Sequence, residues 1–294
     1  MNPINASSLL HFTKDIKGLK GILEKGFRYS YCCEKFSQTI VANKIYPNNP
    51  LFFRPIPSIN PYVAIPMICF CDIPLTRATQ HAKIYGNFII GLDKDMAMSL
   101  YRPLLNPVLY KNSNFIEMGL NDLSVVKVQS SKITGCNNLN QSICQIIGST
   151  KPYSGELKIQ TPDGKIETLK NYCFYDEREW RIFMPDDYDK DIKWYWNINP
   201  DEFDKNKHEY NRILQKTRYA YVGFVKELKE KVDEENFPNL ITHIIVDTDD
   251  KIPDMVDFIL NPDQCLFNYN NISNKIRKIL VSKVTSFERI EKDF

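Results

Sequence analysis

The ten residues from Tyr62 to Cys71 are the most apolar run in the chain, and their flanks restrict what they can become. Upstream, Pro47, Pro50, Pro55, Pro57 and Pro61 predict a long irregular loop over 45–61, because each proline fixes φ and removes a hydrogen-bond donor. Loops of that length often serve as functional lids. Downstream, Asp72 and Pro74 supply a helix start, and the helix is expected to run through about Ile84 and stop at Gly86. The run is too short to span a bilayer. Residues 63–71 therefore read as a strand, and Pro66 within it predicts an edge position or a bulge.

With 294 residues, 43% hydrophobic and 25% charged, the chain can bury a substantial core without metals or crosslinks. Lysine and arginine total 38 against 36 aspartates and glutamates, so no overall field draws it onto nucleic acid or an anionic membrane. The eight cysteines are scattered through a chain far longer than disulfide-dependent secreted scaffolds, which predicts reduced thiols. The opening MNPINASSLLHFTKD lacks the basic start and apolar stretch of a secretory signal. A cytoplasmic protein with no membrane association is expected.

Around the central run, the pattern alternates helix and strand. Residues 9–12 predict a strand, after which Asp15 caps a helix carrying Ile16, Leu19, Ile22 and Leu23 before Gly26 ends it. Gly18 and Gly21 weaken that helix but permit close approach of another backbone or a ligand. Further strands are expected at 88–92 and 107–110, separated by a helix over 95–100, and a helix is expected at 139–147. Pro162, Asp163 and Gly164 predict a tight turn within a hairpin over 156–169. Beyond it, 218–225 and 240–246 read as strands, and 253–260 and 274–281 as helices. The succession predicts an α+β fold, a mixed-sheet core with peripheral helices. Residues 1–185 form the core of that reading, and 186–294 an extension packed on it.

Three segments carry groups capable of chemistry. His11 and Thr13 lie at a strand-to-helix junction, where polar groups can face a ligand, or can instead serve their own local hydrogen bonds. His81 and Tyr85 are four residues apart and share a helical face, whether to contact a ligand or to pack. Cys69 and Cys71 share a strand face, but without a second thiol pair they predict packing and no metal site. The segment 171–183 is the densest in charge. If extended, it projects Glu177, Glu179 and Arg181 from one face, and Phe174, Arg178, Trp180 and Ile182 from the other. Close carboxylates repel unless a cation, solvent or polar ligand intervenes, so this face is either a proton-transfer site or a charged, exposed edge strand that resists aggregation. Asp72, Glu177 and Glu179 as oxygen ligands of a nuclease metal is a further, weaker reading.

The same segments resemble the AbiGi family. The resemblance is carried by His11-Phe12-Thr13 with Leu19, Ile22, Leu23 and Gly26, by the run from Ile65 to Leu75 with His81, Tyr85 and Gly86, by 106–110, and by Asp176 to Arg181. It implies a role in abortive phage infection, with a toxin protein of nucleotidyltransferase type as partner and this chain as its antitoxin. The order His11 and Thr13, then Tyr85, then Glu177-Arg178-Glu179 also resembles ADP-ribosyltransferases. That resemblance implies an NAD-binding core in which His11 holds the nicotinamide ribose, Tyr85 stacks on nicotinamide and Glu179 orients a ribose hydroxyl. Glu177 would take the acceptor's proton. Thr13, His81 and Arg181 would complete cofactor binding, and the acceptor would be a macromolecule, either a protein or a nucleic acid.

Overall fold

The structure is a computed structural model, and it describes residues 6–35, 62–102, 104–111, 137–160, 165–184, 192–217, 221–222, 237–267 and 272–293. In chain order, β1 (Ser8–Thr13) leads into α1 (Ile16–Lys25), β2 (Phe27–Arg28), β3 (Ser30–Lys35) and β4 (Tyr62–Cys71). Next come α2 (Ala78–Tyr85), β5 (Phe88–Asp93), α3 (Lys94–Leu100), β6 (Leu105–Pro107), β7 (Leu109–Lys111) and α4 (Asn137–Gly148). The middle of the chain forms β8 (Thr150–Pro152), β9 (Ser154–Gln160), β10 (Ile166–Cys173), β11 (Glu179–Phe183) and β12 (Tyr195–Trp196). The remainder adds α5 (Pro200–Gln215), β13 (Tyr221–Val222), α6 (Phe237–Leu240), β14 (Ile241–Val246), α7 (Ile252–Leu260), α8 (Asn274–Val281), β15 (Val284–Ser286) and α9 (Phe287–Asp293).

The α+β expectation holds. A mixed sheet runs β15-β14-β5-β1-β4-β11-β6, with β3 and β12 as further partners of β4. Among the described strands of this sheet, only β14 and β15 pair in parallel. Strands from both sides of residue 186 share this sheet, since β12 and β14 pair with β4 and β5. The Pro-rich 45–61 segment, the turn at 162–164 and most of the strand expected at 218–225 lie outside the described residues.

Strand β4 is the centre of the sheet, so the edge expected from Pro66 is corrected. Strands β3 and β1 pair along one side of β4, and β12 and β11 along the other. Pro66 falls between the β12 pairs at Val63 and Ala64 and the β11 pairs that begin at Met67. Its carbonyl still accepts from Met184 N, on the side where its missing N–H would point. A proline is tolerated in a central strand here because its partner on that side changes at that residue.

The alternation of β4 sorts the fold into two faces. Ala64, Ile68 and Phe70 point into the main core, with Leu9 and Ile90 from the neighbouring strands and apolar residues of α1, α3, α5, α7 and α8. Val63, Ile65 and Met67 point to the opposite face, where α4 covers them through Cys144 and Ile147. Farther along that face Leu10, Cys71, Ile89 and Ile245 pack beneath α2 and α9. The second face therefore has two small apolar clusters.

Helix boundaries follow local chemistry. Asp15 accepts from Gly18 N, and Leu19, Ile22 and Leu23 form the buried stripe of α1. A Cβ at Gly18 would lie 2.2 Å from Thr13 Oγ1, whereas one at Gly21 would meet nothing within 4 Å. Of these two glycines, it is Gly18 at which close approach is required, and the group that approaches belongs to Thr13. Asp72 does not cap α2 as expected: its carboxylate binds Lys94, and a 3-10 turn at Leu75–Arg77 leads into the helix.

Gly86 ends α2 at φ 113, and a Cβ there would lie 2.2 Å from the carbonyl oxygen of Thr13. Gly86→Ala meets both the left-handed backbone penalty and a clash with main chain that side-chain rotation cannot relieve. We expect a loss of about 2–4 kcal/mol of unfolding free energy, read as a lower urea midpoint. Gly21→Ala should be neutral or slightly stabilising.

Candidate functional site

Between the two small apolar clusters of the second face lies a buried ionic cluster. Glu179 pairs with Cys71 in β4 and Arg181 with Cys69, so both side chains emerge on the face of Met67, Cys69 and Cys71. Glu177 arrives by a different route. The extended arrangement considered for 171–183 does not hold through Glu177: Phe174–Glu177 forms a 3-10 turn closed by Arg178 at φ 43 and ψ 52. This left-handed residue reverses the chain so that Glu177 and Glu179 both face inward, 2% and 5% exposed. The exposed charged edge is overturned as well, because β11 lies between β4 and β6.

Lys151, from β8, holds the carboxylates together. Its Nζ donates to Glu177 Oε2 at 2.6 Å and to Glu179 Oε2 at 2.8 Å, and lies 4.7 Å from the centre of the Phe174 ring. Arg181, fully buried, donates from Nε to Glu179 Oε1 at 2.7 Å and from Nη2 to Glu179 Oε2 at 3.1 Å. The same guanidinium reaches Glu34 Oε1 at 3.0 Å and the Gly148 carbonyl at 3.1 Å. It thus ties β3, α4 and β11 into one network. Tyrosines enclose it: Tyr85 Oη donates to Glu177 Oε1 at 2.6 Å, and the Tyr110 hydroxyl accepts from Glu179 N at 2.8 Å.

The electrostatics agree with this geometry. Burial alone would raise Glu179, but Arg181 and Lys151 outweigh it and hold the carboxyl well below its usual range. Burial would likewise discharge Lys151, yet Glu179 and Glu177 push it well above the ordinary lysine value. Burial and the Glu177 carboxylate both raise the Tyr85 and Tyr172 hydroxyls. Every charge in the cluster is opposed by another, so each buried ion is compensated by its neighbours.

Of the residues singled out from sequence, Tyr85, Glu177, Glu179 and Arg181 come together. His81 lies beside them, its ring 6.5 Å from that of Tyr85, and burial lowers its affinity for a proton. His11 and Thr13 do not join. Leu10 stands in line with Cys71 and Glu179, so its neighbour His11 projects from the other face of the sheet. There the imidazole packs on Phe27 and Phe70 at 5.1 and 5.6 Å, and its Nδ1–H donates to the Cys69 carbonyl at 2.8 Å. That bond fills the place where β1 diverges from β4 and β3 takes over. The transferase-like grouping of His11 with Glu179 is therefore not the one the fold produces. Asp72, bound to Lys94, is likewise separate from the cluster.

Lys151, Glu34 and Tyr110 were not legible as partners. Lys151 sits 26 residues from Glu177 and Glu34 sits 147 from Arg181, and neither stands in a motif.

The family model described as "Putative abortive phage resistance protein AbiGi, antitoxin" matches residues 27–224. The chain belongs to the AbiGi family. It is 27% identical over 244 residues to "Abortive phage resistance protein AbiGi" of Lactococcus lactis subsp. cremoris, an alignment covering 78% of this chain and 89% of that protein. No solved structure matches. Among the described residues, no helix is long and apolar enough to cross a membrane.

Lys151→Met leaves two buried carboxylates without their shared cation, and should cost about 3–5 kcal/mol of stability at neutral pH. Adding Glu177→Gln should recover part of that loss, as read by urea unfolding. The acid limb tests Glu179. Its folded-state affinity for protons is below the unfolded value near 4.3, so its contribution is present above about pH 5 and fades as pH falls toward the depressed folded value. Glu179→Gln should therefore flatten the loss of stability below pH 5, measured as unfolding midpoints across that range.

Proposed function

We propose that this chain acts in abortive phage infection as a noncatalytic antitoxin, neutralising a toxin protein by surface binding. The observation that carries the reading is the closure of the Lys151, Glu177, Glu179 and Arg181 cluster. A glutamate that orients a ribose hydroxyl must be reachable by substrate, whereas Glu179 is 5% exposed and already bound to a lysine and an arginine. A histidine that holds the nicotinamide ribose must share a cleft with that glutamate, whereas His11 projects from the other side of the sheet. Such a cluster suits a rigid scaffold that positions a binding surface better than it suits NAD turnover. The antitoxin description of the family model supports the same reading.

The decisive experiment pairs two assays on the purified chain and in cells. Coexpression with the nucleotidyltransferase-like toxin of the same defence pair should restore growth, and the two proteins should copurify. NAD should not be consumed, with or without cell extract and nucleic acid as acceptors. Turnover of NAD that disappears in a folded Glu179→Gln variant would overturn the proposal in favour of the transferase.

A further inference from the structure

The turn that sends Glu177 inward sends its neighbours outward. Phe174 and Glu177 are buried, while Tyr175 and Asp176 between them are exposed. Tyr175 stacks on Tyr153, with ring centres 5.3 Å apart and planes inclined by 17°, and the two are 45% and 36% exposed. This pair is held in place from beneath. Tyr175 N donates to the Tyr153 carbonyl at 3.2 Å, and Arg178 N closes the turn onto the Tyr175 carbonyl at 3.1 Å. Tyr110, whose hydroxyl accepts from Glu179 N, packs edge-on against Tyr175 at 5.3 Å. The platform is thus anchored to the buried ionic cluster and built around a left-handed, non-glycine residue, Arg178. Exposed Leu109 and Ile146 lie on β7 and α4, the elements flanking β8 and Tyr153.

We infer that the Tyr153–Tyr175 platform, with the Asp176 carboxylate at its rim, is a docking surface for an arginine side chain of a partner protein. Rigid, exposed tyrosines are favoured at the energetic centre of protein interfaces, because they bring large contact area at little entropic cost. A guanidinium can lie over a tyrosine face while donating to a carboxylate. Asp176 decides between the partners that stacked aromatics can serve. Nucleobases also stack on tyrosine, but their phosphates would meet the carboxylate at close range. Arg178, half-buried at the end of the same turn, is the basic group that an acidic partner would use instead.

This inference rests on the binding role proposed above, and its test is independent of toxin neutralisation. The full chain, with tyrosine side chains isotopically labelled for NMR, is titrated with a short arginine-glycine peptide. Parallel titrations use a glutamate-glycine peptide and a short oligothymidine. Saturable shifts of Tyr153 and Tyr175 with the arginine peptide, weakened at least tenfold in both Tyr175→Ala and Asp176→Asn, are expected. Asp176→Asn keeps the turn's size and shape, so it separates lost charge from lost folding. Binding of the glutamate peptide or oligothymidine at these tyrosines, equal arginine-peptide binding by Asp176→Asn, or no shift with any probe would overturn the inference. Failure here with intact toxin neutralisation would leave the antitoxin role standing and place its surface elsewhere.

Discussion

Lys151 between two buried glutamates is the contact on which the second face of the sheet depends. An ammonium group is costly to desolvate, and so is each carboxylate, but together with Arg181 the ions satisfy one another at 2.6–2.8 Å. The cluster joins β3, β8 and β11 with the turn before β11, and lies between the two apolar clusters of that face. Its value is as much geometric as energetic. A bidentate guanidinium and a shared lysine admit few alternative arrangements, so they fix how the β7–β8 ribbon meets the main sheet.

The central strand explains why such a cluster can be assembled. With partners along both sides, β4 brings β1 and β11 into line across Leu10, Cys71 and Glu179. One register thereby sets which groups share a face. It places Glu179 and Arg181 with Cys69 and Cys71, and it sends His11 to the aromatic packing of the main core. A shift by one residue would exchange the two sets, which is why register decides the make-up of this cluster more directly than composition does.

Kinship with AbiGi proteins and the closed ionic cluster both support the binding role proposed above. The cluster's carboxylates are covered and bound to Lys151, Arg181 and Tyr85. Binding needs rigidity beneath an exposed surface. The turn at Phe174–Glu177 provides both aspects, with two residues inside the network and two presented outward. Strain at Arg178 is tolerated because the Asp72 N–H to Arg178 carbonyl bond and the buried glutamates hold the turn from either side.

The sequence by itself determined the local elements. Asp15 and Gly26 set the limits of α1, Gly86 ends α2, and the apolar run after Pro61 becomes a strand, because caps, left-handed glycines and unbroken apolar runs act within a few residues. It also put Glu177, Glu179 and Arg181 on one face, whereas Tyr85 was joined to them only by the transferase resemblance, which included His11 as well, a residue the fold sends to the other face. The tertiary structure decided the rest. Pro66 sits in the centre of the sheet because its partner strand changes there, and no local pattern encodes partners as far along the chain as Met184 and Tyr195. The extended reading of 171–183 failed at Arg178, whose left-handed conformation is imposed by burial of its neighbours and not by its own preference. Lys151 and Glu34 were invisible as partners, because an ion pair between distant strands is created by pairing register alone. The same register separated His11 from Glu179, as alternation along a strand fixes a side chain's face only once its neighbours are known.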